Sequence, residues 1–224
     1  MKSLLVLALP VLSLGVASAS LIPCTVSGDG AGGAVTSSTV VTCGSLTFEN
    51  FQVLNATGGA AGIIDILSGT DYDSTAGTAF LQFNPNLQAN EDVQFLFEVV
   101  GGLNQIDMSL GGTNATVTER ACANPISSTG ADEDLCTTAD GTSTVAPLGQ
   151  ITVASDTPNQ PVFSAPFPST SPVYIFKDIQ TGAGGALSEF TQSFETGTPE
   201  PVSMALLGSG LLGLGLLRRR SRGN

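Results

Sequence analysis

Val93, Phe95, Phe97 and Val99 alternate with Gln94, Leu96 and Glu98 in one uninterrupted run. A period of two puts the four apolar side chains on one face of an extended strand, whereas the 3.6-residue turn of a helix would scatter them around its axis. That face needs a partner surface, so the run demands a sheet with a buried side. Shorter runs of the same kind occur at Ile63 to Leu67, Phe80 to Phe83, Ile106 to Leu110, Ala115 to Glu119, Gln150 to Ala154, Pro161 to Ala165 and Val173 to Ile179. Clusters of Gly, Asn, Asp, Ser and Pro separate them at short intervals. The pattern predicts an all-β chain, a β-sandwich or jelly-roll-like domain. Leu187, Phe190 and Phe194 fit one face of a helix, but Phe190 and Phe194 also fit alternate positions of a closing strand, and the strand is the reading we favour.

Charge narrows the function classes. The 224 residues include 7 Lys plus Arg, 19 Asp plus Glu and no His, for a formal net charge of -12. Without an imidazole, Ser-His-Asp and Cys-His nucleophile activation and mixed Cys/His zinc sites are excluded. The acidic balance argues against a nucleic-acid partner, which needs a basic stripe. The basic residues are Lys2, Arg120, Lys177, Arg218, Arg219, Arg220 and Arg222, and most of them lie at the two ends. The middle therefore meets its surroundings with only Arg120 and Lys177 against its acids.

Residues 1–19 read as a secretory signal peptide. Lys2 is the positive start, Leu4 to Gly15 is the apolar stretch, and Ala17-Ser18-Ala19 is the small-x-small pattern that signal peptidase cleaves after. Residues 198–222 form a second address. Thr198-Pro199-Glu200-Pro201 precedes an uncharged run over 202–217, which ends at Arg218-Arg219-Arg220-Ser221-Arg222. As a helix the run is about 24 Å long, slightly short of the hydrocarbon core of about 30 Å, and can span by thinning or snorkelling. The arginines set its end on the cytoplasmic side. Ala205, Ser209 and Gly213 line one helical face with small residues that allow close approach of another helix.

This tripartite tail resembles the PEP-CTERM sorting signal of Gram-negative bacteria. The resemblance implies an exosortase-type membrane protease as the partner, with the cargo passed to the cell surface or into extracellular polysaccharide. Proteins described as ice-binding carry the same kind of tail, so the resemblance implies an address and not an activity. Pro199, Glu200, Pro201, Arg218, Arg219 and Arg220 are the residues it assigns to sorting and processing. Further segments, Cys43 to Phe51, Val117 to Cys122, Phe176-Lys177-Asp178-Ile179 and Ser193-Phe194, are similar to PEP-CTERM cargo proteins that look like secreted β-sandwiches.

Four cysteines, Cys24, Cys43, Cys122 and Cys136, suit an oxidising compartment. They allow three pairings, of which the nearest-neighbour one, Cys24 to Cys43 and Cys122 to Cys136, is the simplest because each bridge closes a local loop. Each would contribute about 3 kcal/mol. Reduced thiols are the alternative, while the spacings hold no C-x-x-C metal pattern.

The sequence implies no cofactor, and calcium is the one ion its loop acids suit. Asp71 and Asp73, and the run Asp132-Glu133-Asp134, offer hard oxygen ligands, although neither follows an EF-hand pattern. Solvated loop acids are the plainer interpretation. A glycosidase carboxylate pair is disfavoured by the absence of Trp and the presence of only 2 Tyr as stacking platforms. The threonines of Thr39 to Thr42 and Thr116 to Thr118 are isolated, with no repeat to build an ice-binding face. No phosphate-binding glycine motif occurs. The expected organisation is a signal peptide at 1–19, an extracytoplasmic β-sandwich domain at 20–197 and a sorting tail at 198–222. The expected role is a non-enzymatic surface or matrix protein, with a calcium-dependent carbohydrate-binding or an ice-binding or adhesive module as the alternative.

Overall fold

A computed structural model describes residues 21–28, 34–67, 69–126 and 135–197. The expected signal peptide, the sorting tail and Asp132-Glu133-Asp134 lie outside the described residues. In chain order the strands are β1 (Leu21–Pro23), β2 (Thr25–Ser27), β3 (Val40–Cys43), β4 (Leu46–Thr57), β5 (Asp65–Ile66), β6 (Asp71–Asp73), β7 (Thr78–Asn84), β8 (Asp92–Val100), β9 (Leu103–Leu110), β10 (Thr113–Cys122), β11 (Gly149–Ala154), β12 (Val162–Phe163), β13 (Val173–Ala186) and β14 (Phe190–Thr196). No helix occurs among the described residues.

The strands form two antiparallel sheets. One runs β1-β6-β7-β14-β9-β12, with β5 also paired to β7, and the other runs β11-β10-β13-β8-β4-β3-β2. From β7 to β10 the chain changes sheet at every connection, which is how an all-β chain lays two sheets face to face without long loops. The β8-to-β9 corner turns on Gly101, at φ +128°, where a Cβ would overlap the carbonyl oxygen of Ser45. Only a residue with no side chain lets the corner pass that close to the β3–β4 turn.

Phenylalanines fill the space between the sheets. Phe48, Phe51, Phe95 and Phe97 project from one sheet and Phe83, Phe190 and Phe194 from the other, all buried. Phe48 meets Phe194 edge-on with centroids 4.8 Å apart, and Phe83 meets Phe95 edge-on at 5.6 Å. Such contacts add about 0.5–1.5 kcal/mol each beyond the area they bury. The alternation of β8 holds as expected: Val93, Phe95, Phe97 and Val99 face this core. Phe190 and Phe194 sit on the inward face of β14, so the closing strand is present.

The opposite face of β8 is not simply wet. Leu96 joins Phe176, Ile126, Cys122 and Cys136 in a second buried cluster on the outer side of the same sheet. The segment following β10 lies over the sheet there, so the sheet is covered on both faces around its centre.

Candidate functional site

The alternation that buries β10 and β13 also buries two charges. Ala115, Val117, Glu119 and Ala121 share one face of β10, and Val173, Ile175, Lys177 and Ile179 share one face of β13. The register sets Glu119 directly opposite Lys177. Lys177 Nζ donates to Glu119 Oε2 at 2.7 Å. Gln192, from β14 in the facing sheet, donates through Nε2 to Glu119 Oε1. None of the three side chains is exposed. The Lys177 ammonium also lies 5.2 Å from the ring centre of Phe190 and 6.0 Å from that of Phe97. Lys177 therefore does not meet the surroundings, as its charge alone suggested; it occupies an inward position of its strand.

Burial sets the proton balance of this trio. Loss of solvent pushes the Glu119 carboxyl up from its ordinary pKa and the Lys177 ammonium down from its own, while their mutual attraction opposes both shifts. Burial is the larger influence on each, so the Glu119 carboxyl stands above its ordinary value and the Lys177 ammonium below its own. The carbonyl oxygen Gln192 Oε1 is buried with no hydrogen-bond partner.

A second feature lies on the outer side of the β8 sheet. Asn50, Gln52, Glu98 and Tyr174 form its polar side, with Leu96, Pro125 and Ile126 on its apolar side, around a hollow of about 270 Å³. Asn50 Nδ2 donates to Glu98 Oε2 at 2.9 Å, and Tyr174 stands opposite Glu98 across the β8–β13 pair. Partial burial, then the Glu98 charge, raises the Tyr174 hydroxyl pKa. Asn50 owes its position to a bulge between Glu49 and Gln52, at which it takes φ +57°.

The expected site residues fall in different places. Cys24 is bonded to Cys43 and Cys122 to Cys136, leaving no free cysteine. Asp71 and Asp73 lie two apart on β6, on the same face, opposite Phe80 and Thr78 of β7. Asp73 Oδ1 accepts the backbone N–H groups of Thr75 at 2.8 Å and Ala76 at 3.1 Å, so one carboxylate oxygen shapes the β6–β7 turn. Among the described residues no group of three or more acids or cysteines is gathered as a metal site. Pro199, Glu200, Pro201, Arg218, Arg219 and Arg220 lie outside the described residues. Thr118 and Thr152 meet through their hydroxyls at 3.2 Å, and Thr25, Thr42 and Thr47 form a row across β2, β3 and β4.

Comparison with known protein families finds no matching family model, and comparison with curated proteins finds no match.

Proposed function

We propose that the chain is an exported, non-enzymatic surface or extracellular-matrix protein, delivered by an exosortase-type system acting on its C-terminal tail. The observation that carries the export half is the pairing of all four cysteines within a two-sheet domain, which is compatible with an extracellular protein. The two end segments support the route. Signal peptidase removes residues 1–19, the domain over 20–197 folds and oxidises outside the cytoplasm, and the helix over 202–217 holds it in the membrane. The prolines of Pro199-Glu200-Pro201 keep that segment out of the helix and open to the processing protease. The test is the mass of the mature protein from cells with and without the exosortase. Loss of the tail only where the enzyme is present supports the reading, and an intact tail in both overturns it.

One observation favours a second reading, a carbohydrate-binding module. The hollow at Tyr174 sets a planar ring beside a carboxylate and two amides, the combination that holds a sugar ring by stacking and paired hydrogen bonds. Glycan-array binding lost in Tyr174→Ala supports it. Further loss with a chelator and with Asp71→Ala or Asp73→Ala would assign calcium a part.

A further inference from the structure

Lys177, Glu119 and Gln192 meet where solvent does not reach, and packing does not require them there. Replacing a buried ion pair by apolar residues of similar volume is often neutral or stabilising. A buried amine on one oxygen of a carboxyl, with a primary amide on its other oxygen, is instead the set of groups an acyl transfer needs. We infer that Lys177 and Gln192 become joined by a self-catalysed isopeptide bond, a γ-glutamyl-ε-lysine link, with Glu119 as the proton carrier.

The reaction is an acyl substitution at the Gln192 side chain. The lone pair on Lys177 Nζ attacks Gln192 Cδ and forms the new C–N bond. The bond from Cδ to Nε2 breaks, and ammonia leaves. Glu119 Oε2 accepts the proton given up by Nζ, and Oε1 delivers one to the departing Nε2, so the carboxyl finishes in its starting state. An amine and a primary amide become a secondary amide and ammonia, with no oxidant, reductant or other reactant consumed.

Three features of the geometry suit that step. The nucleophile must lose its charge, and the shut environment of Lys177 favours the neutral amine. The proton carrier must touch both nitrogens, and Glu119 does so through its two oxygens. Water must be kept from the acyl centre, and the Phe97 and Phe190 rings lie against the lysine with all three polar groups unexposed. The three side chains come from β10 and β13 of one sheet and β14 of the other, so the product ties the sheets together covalently.

Peptide mapping of the purified full chain by mass spectrometry tests this. The expected result is a branched peptide pair containing Lys177 and Gln192, lighter than the two separate peptides by one ammonia. Recovery of both peptides unlinked and at full mass from folded protein overturns the inference. In Glu119→Gln, which retains size and hydrogen bonding, the link is expected to be absent while circular dichroism still reports a β-fold. A linked Glu119→Gln protein overturns the role given to Glu119. Should that variant fail to fold, the wild-type map decides the matter alone.

Discussion

Glu119 and Lys177 face each other across β10 and β13 with a carboxyl-to-amine contact of 2.7 Å, and neither reaches solvent. Each is the other's main compensation for a costly burial, because an isolated charge in an apolar interior is strongly disfavoured.

Lys177→Met therefore strands the Glu119 carboxyl with Gln192 alone. The expected loss from the stranded acid alone is about 3–5 kcal/mol of unfolding free energy. Adding Glu119→Leu to that variant is expected to recover part of the loss, since the second change removes the unpaired acid. Urea unfolding of the two variants, neither of which can form a link through Lys177, measures the difference.

The Cys122–Cys136 bridge does two things at once. It closes a loop with a sequence separation of 14, and its sulfurs pack with Leu96 and Phe176 in the outer cluster. Replacing both cysteines by serine is expected to cost about 3 kcal/mol from the unfolded chain, with a further loss from polar groups placed against Leu96 and Phe176. Calorimetry of the double variant beside the reduced wild type separates the two contributions.

Asp92 makes the fold sensitive to pH. Burial first, then the charge and hydrogen bonding of Asp178, raises its pKa to about 6. The folded state thus holds this proton more tightly than the unfolded chain, whose aspartates titrate at about 4. The stability it contributes is complete below that lower value and is lost as pH rises through about 6. Asp92→Asn is expected to flatten the decline in melting temperature between those two pH values and to raise it at neutral pH. Thermal melts of both proteins across that window are the check.

Gly101 is expected to tolerate no side chain. Gly101→Ala forces a Cβ into the Ser45 carbonyl at a positive φ, for an expected loss of about 1–3 kcal/mol. Gly141, also at positive φ but with open space around it, isolates the backbone part: Gly141→Ala is expected to cost less. Paired denaturation curves report both.

How far the sequence reveals this arrangement depends on whether a feature is local. The inward face of β8 is legible because Val93 to Val99 alternates without interruption. The strand β4 escapes the same reading because its bulge brings Phe48 and Phe51, three residues apart, to the same core. The burial of Glu119 and Lys177 is readable strand by strand, since Val117 and Ala121 flank one and Ile175 and Ile179 flank the other. Their meeting is not, because alternation assigns a face and not a partner. That pairing comes from the β10–β13 register, and the arrival of Gln192 comes from the stacking of one sheet on the other. The hollow beside Tyr174 likewise needs Pro125 and Ile126, from the segment that follows β10, brought against the sheet.

Lys177 is the only lysine between residues 20 and 197, and it is wholly enclosed. Over that whole span the folded exterior offers no side-chain amine. Aldehydes and reducing sugars find no lysine on the folded surface to condense with, and amine-directed dyes or biotin esters mark no side chain of the folded span. The folded span is in this way closed to lysine side-chain glycation, and its one lysine is hidden from amine chemistry.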